Sequence, residues 1–255
     1  MKKTIILSFL FLVCVAFASR AQFQPASFTV NGFTLPYQVL FPQGYDESKA
    51  YPLVLFLHGA GERGDDNQKQ LANGKDFLVN HFSSEYPAIV IVPQCPSGSY
   101  WADVIRHQVG SRMSFGFGIG EPTAPMRTLM LLVQDWLSSG KVDIRRVYVG
   151  GLSMGGMGTL EILWRMPQVF AAAFPICGGG ETNRLPAYAK HTAVWLFHGA
   201  DDSVVPVRFS REIAAKLKEL GGEVKYTEYP GIDHNSWDQA FLEKDLVPWL
   251  FKHTL

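Results

Sequence analysis

Residues 145–156 read R-R-V-Y-V-G-G-L-S-M-G-G. A buried-strand pattern runs into a pair of glycines, a lone serine, and more glycine. Within it, Gly151-Leu152-Ser153-Met154-Gly155 fits G-x-S-x-G, the spacing of a sharp strand-to-helix turn. At such a turn the serine takes a strained backbone conformation. Side chains on the flanking positions would strike the adjacent strand and helix, so those positions must be small. The turn lifts the Ser153 hydroxyl above the sheet. The helix start behind it offers free N–H groups to developing negative charge.

Outward from this turn, apolar runs alternate with helix-period segments. F-T-L-P-Y-Q-V-L-F (33–41) is an early strand or hairpin arm. P-L-V-L-F-L-H-G (52–59), A-I-V-I-V-P (88–93), A-A-A-F-P-I-C-G (171–178) and A-V-W-L-F-H-G (193–199) are continuous apolar runs, as strands covered on both faces should be. V-K-Y-T-E-Y-P (224–230) is less apolar and suits a position near an edge. Helices are expected over 126–137, 153–166 (ended by Pro167) and 207–220 (stopped by Gly221-Gly222), with a last one within 238–251 interrupted near Pro248. Repeated strand–helix–strand units give an α/β fold, a mostly parallel central sheet with helices on both faces. Function in such a sheet gathers at the carboxyl ends of the strands. Residues 97–125 read as an irregular stretch rich in Gly, Ser, Phe and Trp, of a length usually tied to function.

A serine hydroxyl needs a base, and the base needs an acid to orient it. For a G-x-S-x-G turn the chain order is serine, acid, histidine. H-G-A-D-D-S-V-V-P follows the run 193–199, and G-I-D-H-N-S-W follows 224–230. His234 is therefore the candidate base. Asp201, Asp202 and Asp233 are candidate acids, Asp233 being too close in sequence to reach the far side of the His234 ring. His58 and His198 each end an apolar strand before a glycine and read as loop supports. His253 reads as surface, and His81, His107 and His191 as solvated.

Four stretches together, L-H-G-A-G-E-R-G, G-L-S-M-G-G, H-G-A-D-D-S-V-V-P and Y-P-G-I-D-H-N-S-W, resemble the landmarks of the α/β-hydrolase superfamily. The resemblance is to secreted phospholipase/carboxylesterase-like, dienelactone-hydrolase-like and prolyl-oligopeptidase-like proteins, and to feruloyl and acetyl carbohydrate esterases. It implies an α/β-hydrolase fold and selects Asp202, whose D-x-V-V-P setting matches the family acid, over Asp201. It also implies an oxyanion hole from two backbone N–H groups. Met154, the residue after the serine, is given by the geometry of the turn as well; Ala60 rests on the resemblance.

The implied activity is a secreted serine carboxylic-ester hydrolase working through an acyl-enzyme, on feruloyl or acetyl esters of plant-wall glycans. A serine peptidase of the prolyl-oligopeptidase kind would have the same triad but ordinarily carries a further domain. A non-catalytic binding protein on the same scaffold would ordinarily have lost the serine or the histidine. Trp101 and Trp237, near the reactive edge, are candidate substrate-binding platforms for an aromatic acyl group or a sugar ring. Phe115 and Phe117 are a candidate pocket wall, and Trp164 and Trp195 read as core.

The chain has 255 residues, 47% hydrophobic and 18% charged, which suits one domain with a sizeable core. M-K-K followed by an apolar run over 5–17 and small residues reads as a signal peptide over 1–21, with cleavage after Ala21 or, alternatively, Ala18. Residues 22–255 are then the domain, exported to the periplasm or beyond. Losing Lys2, Lys3 and Arg20 from 23 basic residues leaves 20 against 23 acidic ones. With no basic stripe, nucleic acid is not an expected partner, and no membrane association is expected once the signal is removed. No cofactor is expected: Glu62, Asp65 and Asp66 lack metal-ligand spacing, and F-G-F-G-I-G (115–120) is not a nucleotide fingerprint. Cys95 and Cys177 are expected to be free thiols, because their strands are not neighbours.

Overall fold

The computed structural model describes residues 21–109 and 112–255, and the side chains among them outside 108–113. Of the expected signal peptide, all but Ala21 lies outside the described residues.

The chain opens with strands β1 (Gln24–Val30) and β2 (Phe33–Leu40), then β3 (Tyr51–Leu57), helix α1 (Lys75–Asn80) and β4 (Ile89–Pro93). β5 (Val104–Val109), β6 (Arg112–Phe117), α2 (Ala124–Ser138), β7 (Val142–Leu152), α3 (Met154–Arg165) and β8 (Ala172–Ile176) follow. The chain closes with β9 (Ala193–Gly199), α4 (Arg208–Glu219), β10 (Val224–Tyr229), α5 (Trp237–Ala240) and α6 (Leu246–Lys252). Eight strands form one sheet in the order β1-β2-β4-β3-β7-β8-β9-β10. From β4 to β10 all neighbours are parallel, and β1 and β2 add an antiparallel edge.

Side-chain alternation along the strands explains the two layers of helix. Leu53, Leu55 and Leu57 of β3 face one way with Val147 and Val149 of β7, against Leu129 and Leu132 of α2, Leu160 of α3 and Ile213 of α4. Val54 and Phe56 face the other way with Tyr148 and Phe174, against Phe77 and Leu78 of α1, Ala240 of α5 and Leu246 and Leu250 of α6. Each such fully buried side chain contributes about 1.5–3 kcal/mol. Exposed pairs such as Lys216–Glu219 contribute about 0–1 kcal/mol, so the two apolar layers carry the fold. Cys95, just past β4, and Cys177, just past β8, are separate buried thiols.

Three expectations are corrected. The stretch 97–125 is not irregular: β5 and β6 pair antiparallel within it, Val104 opposite Phe117 and Ile105 opposite Gly116. One helix holds both feet of this hairpin. On α3, Glu161 accepts a hydrogen bond from Asp103 N at 2.8 Å, and Arg165 donates to Gly120 O at 3.0 Å. Glu161 and Arg165 pair with each other at 2.7 Å, their side chains 6% and 7% exposed. Second, the C-terminal break falls between α5 and α6 and not at Pro248. Proline at the third residue of α6 lacks only an N–H that has no intrahelical partner there. Third, His253 is not a free surface group. Its ring meets Trp249 O and Glu223 Oε1 and is 12% exposed.

Candidate active site

The sharp turn sits where β7 leaves the sheet between β3 and β8. Ser153 has φ 53° and ψ −115°, a conformation L-residues avoid, and precedes the first turn of α3. Ser153 N donates to Ile176 O at 2.9 Å, fixing the turn to the end of β8. The glycines are there because backbones touch. A methyl group on Gly155 would lie 1.9 Å from Leu57 O, and one on Gly151 2.6 Å from Gly155 O and from Leu57 O. α3 thus starts directly on the end of β3.

Asp202 and His234 reach this point from the loops after β9 and β10. His234 Nε2 is 2.9 Å from Ser153 Oγ, and His234 Nδ1 is 2.8 Å from Asp202 Oδ2. The Asp202 carboxylate is fully buried and the His234 ring 19% exposed. Oδ1 of Asp202 accepts from Val204 N at 2.9 Å and Val205 N at 2.8 Å, and Oδ2 also faces His198 Nε2 at 3.2 Å. Burial pushes the Asp202 pKa up, but hydrogen bonds from His198, His234 and Val205 outweigh it. The carboxyl is held well below the usual range.

The other two acids do not reach the imidazole of His234. Asp201 is exposed. Asp233 accepts from Ser203 N at 2.7 Å, Ser203 Oγ at 2.9 Å and His234 N at 2.7 Å, stapling the two loops together. Asp66 caps its own loop, accepting from Gln68 N and Lys69 N.

Ala60 begins a 3-10 turn at Ala60–Glu62, and Met154 begins α3, so each amide lies in a first turn without an intrahelical partner. β3 and β7 are parallel neighbours with Leu57 opposite Gly151. Past that register the two chains stay close: a methyl group on Gly59 would lie 2.8 Å from Leu152 Cδ1, so the Ala60 loop starts beside the Ser153 turn. The Ala60 loop is tied down from several sides. Arg63 Nε donates to Ala60 O at 2.9 Å, and Arg63 Nη1 to Ser97 O at 3.0 Å. His58 Nδ1 meets Gly59 O at 2.6 Å, and Cys95 N donates to His58 Nε2 at 2.9 Å.

Trp101 is not the substrate platform its position in the sequence suggests. It is fully buried, and its Nε1–H donates to His58 O at 3.2 Å. A methyl group on Gly158 would sit 2.6 Å from Trp101 Cβ. The ring is thus packed beneath the Ala60 loop and offers no face to a ligand. Trp237 is half-buried, packed against the second apolar layer and edge-on to His234 at 5.5 Å and 86°. Phe117 packs edge-on against Phe209 at 5.3 Å, with Phe115 beside the same cluster, so the hairpin lies over the start of α4. Trp195 is fully buried, as expected, while Trp164 is half-buried beneath the guanidinium of Arg165, 4.1 Å from its centroid.

Among the described residues, donor atoms of Cys177, Asp202 and His234 lie within 4.8 Å of one another. Asp202 and His234 already use theirs on each other, and burial raises the pKa of the Cys177 thiol far above its ordinary value. The grouping therefore reads as a hydrogen-bonded Asp202–His234 pair with a buried thiol beside it, and not as a metal centre.

Burial of His58 has a consequence for stability. Desolvation outweighs its hydrogen bond to Gly59 and pulls its pKa down to about 4. Between its ordinary value and that one, the unfolded chain binds a proton that the folded chain does not. Stability is therefore lost as pH falls through this window, by up to about 3 kcal/mol. Urea denaturation between pH 7 and 4 should show this slope, and His58→Gln should flatten it. Equal slopes in both proteins would contradict the assignment.

Residues 45–244 match a family described as Phospholipase/Carboxylesterase. Carboxylesterase SOBER1 of Arabidopsis thaliana is 24% identical over 197 residues, 73% of this chain and 84% of that protein. A solved thermostable esterase superposes with a TM-score of 0.77 at 34% identity, covering 91% of this chain, which spans 63% of that one. A CE1 ferulic acid esterase from Anaeromyces mucronatus superposes with a TM-score of 0.62 at 16% identity, over 87% of this chain and 88% of that one. At that identity the likeness is one of fold.

Proposed function

The chain belongs to the phospholipase/carboxylesterase family and is a carboxylic ester hydrolase, and on that premise we propose that it works through Ser153, His234 and Asp202. One observation carries the reading: an unbroken line of hydrogen bonds, 2.9 Å and 2.8 Å long, from a serine on a strained turn through an imidazole to a buried carboxylate.

Ser153 Oγ attacks the ester carbonyl carbon while its proton passes to His234 Nε2. Asp202 accepts from Nδ1–H, fixes the tautomer and stabilises the imidazolium. The carbonyl oxygen, now negative, accepts from Ala60 N–H and Met154 N–H. Losing one such donor typically costs about 10²–10³ in rate. The C–O bond breaks, His234 Nε2 returns its proton to the leaving alkoxide, and an acyl-serine remains. Water then attacks that ester, giving its proton to the same nitrogen. The acid leaves and Ser153 is restored.

The enzyme acts outside the cytoplasm, in the periplasm or beyond, on feruloyl or acetyl esters of plant-wall glycans. The leader sequence supports the first statement. Trp237 beside His234 and the fold shared with a ferulic acid esterase support the second.

Initial rates on methyl ferulate, p-nitrophenyl acetate and a prolyl p-nitroanilide, with Ser153→Ala as blank, test this reading. Serine-dependent turnover of either ester, with the anilide far slower, is expected. Comparable anilide cleavage would replace the substrate class with a peptide, and ester turnover surviving in Ser153→Ala would remove the triad.

A further inference from the structure

The carboxylate that orients His234 faces a second histidine. We propose that His198 is a positioning residue of the acyl-transfer site: it donates from Nε2 to the same Oδ2 of Asp202 that receives His234 Nδ1–H, and so sets how strongly the acid holds the base. The proposal rests on the triad reading given above.

His198 lies near the end of β9, fully buried. Its Nε2 is 2.9 Å from Val205 O and 3.2 Å from Asp202 Oδ2. A carbonyl only accepts, so the proton at this end belongs to Nε2 and is shared between the carbonyl and the carboxylate. Nδ1 is 2.7 Å from Ser210 Oγ of α4, which is also buried. In the neutral ring with Nε2 protonated, Nδ1 accepts the hydroxyl proton. One tautomer therefore satisfies every polar contact of the ring.

The effect falls on Asp202. Val204 N and Val205 N occupy Oδ1, while His234 and His198 share Oδ2. Density given to His198 is not available to His234, so the imidazolium formed during catalysis is held less tightly than by a carboxylate with one donor. The base then releases its proton more readily to the leaving alcohol. Other ionisable groups around the pair are the Cys177 thiol past β8, Asp233 beside His234, and Glu228 of β10, opposite His198 in register and paired with Arg211 of α4. All stay in place in the test below.

The test compares His198→Leu with His198→Gln in kcat/KM against pH. Leucine removes the donor. Glutamine places its amide N–H where Nε2 stood. In the leucine variant the acid limb should move up by about one pH unit, the size of one charge-assisted hydrogen bond. The glutamine variant should keep the wild-type limb. Equal limbs in wild type and both variants, or an equal shift in both variants, would overturn the proposal.

Wild-type protein gives a second readout that does not depend on either variant folding. ¹⁵N imidazole spectra at pH 7 should show a proton on His198 Nε2. A ring without a proton on Nε2 would overturn the proposal too. Ester hydrolysis surviving in Ser153→Ala would end the triad and this proposal together. A Ser153-dependent enzyme with the wrong His198 tautomer would end this proposal alone.

Discussion

Asp202→Asn is expected to lower kcat/KM for ester hydrolysis about 10⁴-fold, the scale of forcing a triad histidine into the wrong tautomer. The direction follows from the donors around the carboxylate. Val204 N and Val205 N both point at Oδ1 and require an oxygen there. The NH₂ group of an asparagine must then take the Oδ2 position and face His234 Nδ1. A donor cannot face a donor, so His234 moves its proton to Nε2 and can no longer accept one from Ser153. Asp233→Asn is the control. Its oxygen can still accept from Ser203 N and His234 N, so the staple between the loops weakens without reaching the imidazole. A loss of tenfold or less is expected there, in the manner of a positioning defect. Matching losses in the two variants would show that Asp202 has no special role.

Gly155→Ala should cost about 3 kcal/mol or more, at the upper end of overpacking penalties. Its methyl group would fall 1.9 Å from Leu57 O and 2.5 Å from Leu57 C. Both are backbone atoms of β3, held between β4 and β7, and cannot swing aside as a side chain could. Relief requires α3 to lift off the sheet, which carries Ser153 with it. Gly98→Ala, an exposed glycine with nothing within 4 Å of the added methyl, should change stability by no more than about 0.5 kcal/mol. Urea denaturation of the two variants checks this. A Gly155→Ala protein as stable as wild type would mean that α3 does not start against β3 as described.

Much of this was legible in the sequence because burial on both faces leaves a plain mark. The runs 52–59, 88–93, 171–178 and 193–199 became β3, β4, β8 and β9 within about two residues at each end, and the less apolar 224–230 became the edge strand β10. The serine, the second aspartate and the histidine each follow the carboxyl end of a strand, and they meet in space.

What escaped was structure with weaker periodicity. β1 alternates only shallowly, yet Asn31-Gly32, with φ 50° and 78°, is a two-residue hairpin signal between it and β2. In β6 Gly116, and just past it Gly118, mask an alternating pattern, and the pairing partner is local. Trp101 shows a different limit. Its place near the reactive edge was readable, but whether the ring faces outward or inward depends on the bare Cα of Gly158 from another element. His198 reads correctly as a loop support. That the loop it supports carries Asp202 is visible only in three dimensions.

Everything proposed for this enzyme turns on Ser153 as the nucleophile and His234 as the group that activates it. Mass spectrometry after exposure to an alkyl p-nitrophenyl phosphonate, an ester analogue that stays on the attacking oxygen, tests it most directly. One adduct per chain is expected, on the peptide bearing Ser153, lost in Ser153→Ala and formed far more slowly in His234→Ala. An adduct on any other residue while ester hydrolysis is blocked, or labelling equally fast without His234, would contradict it.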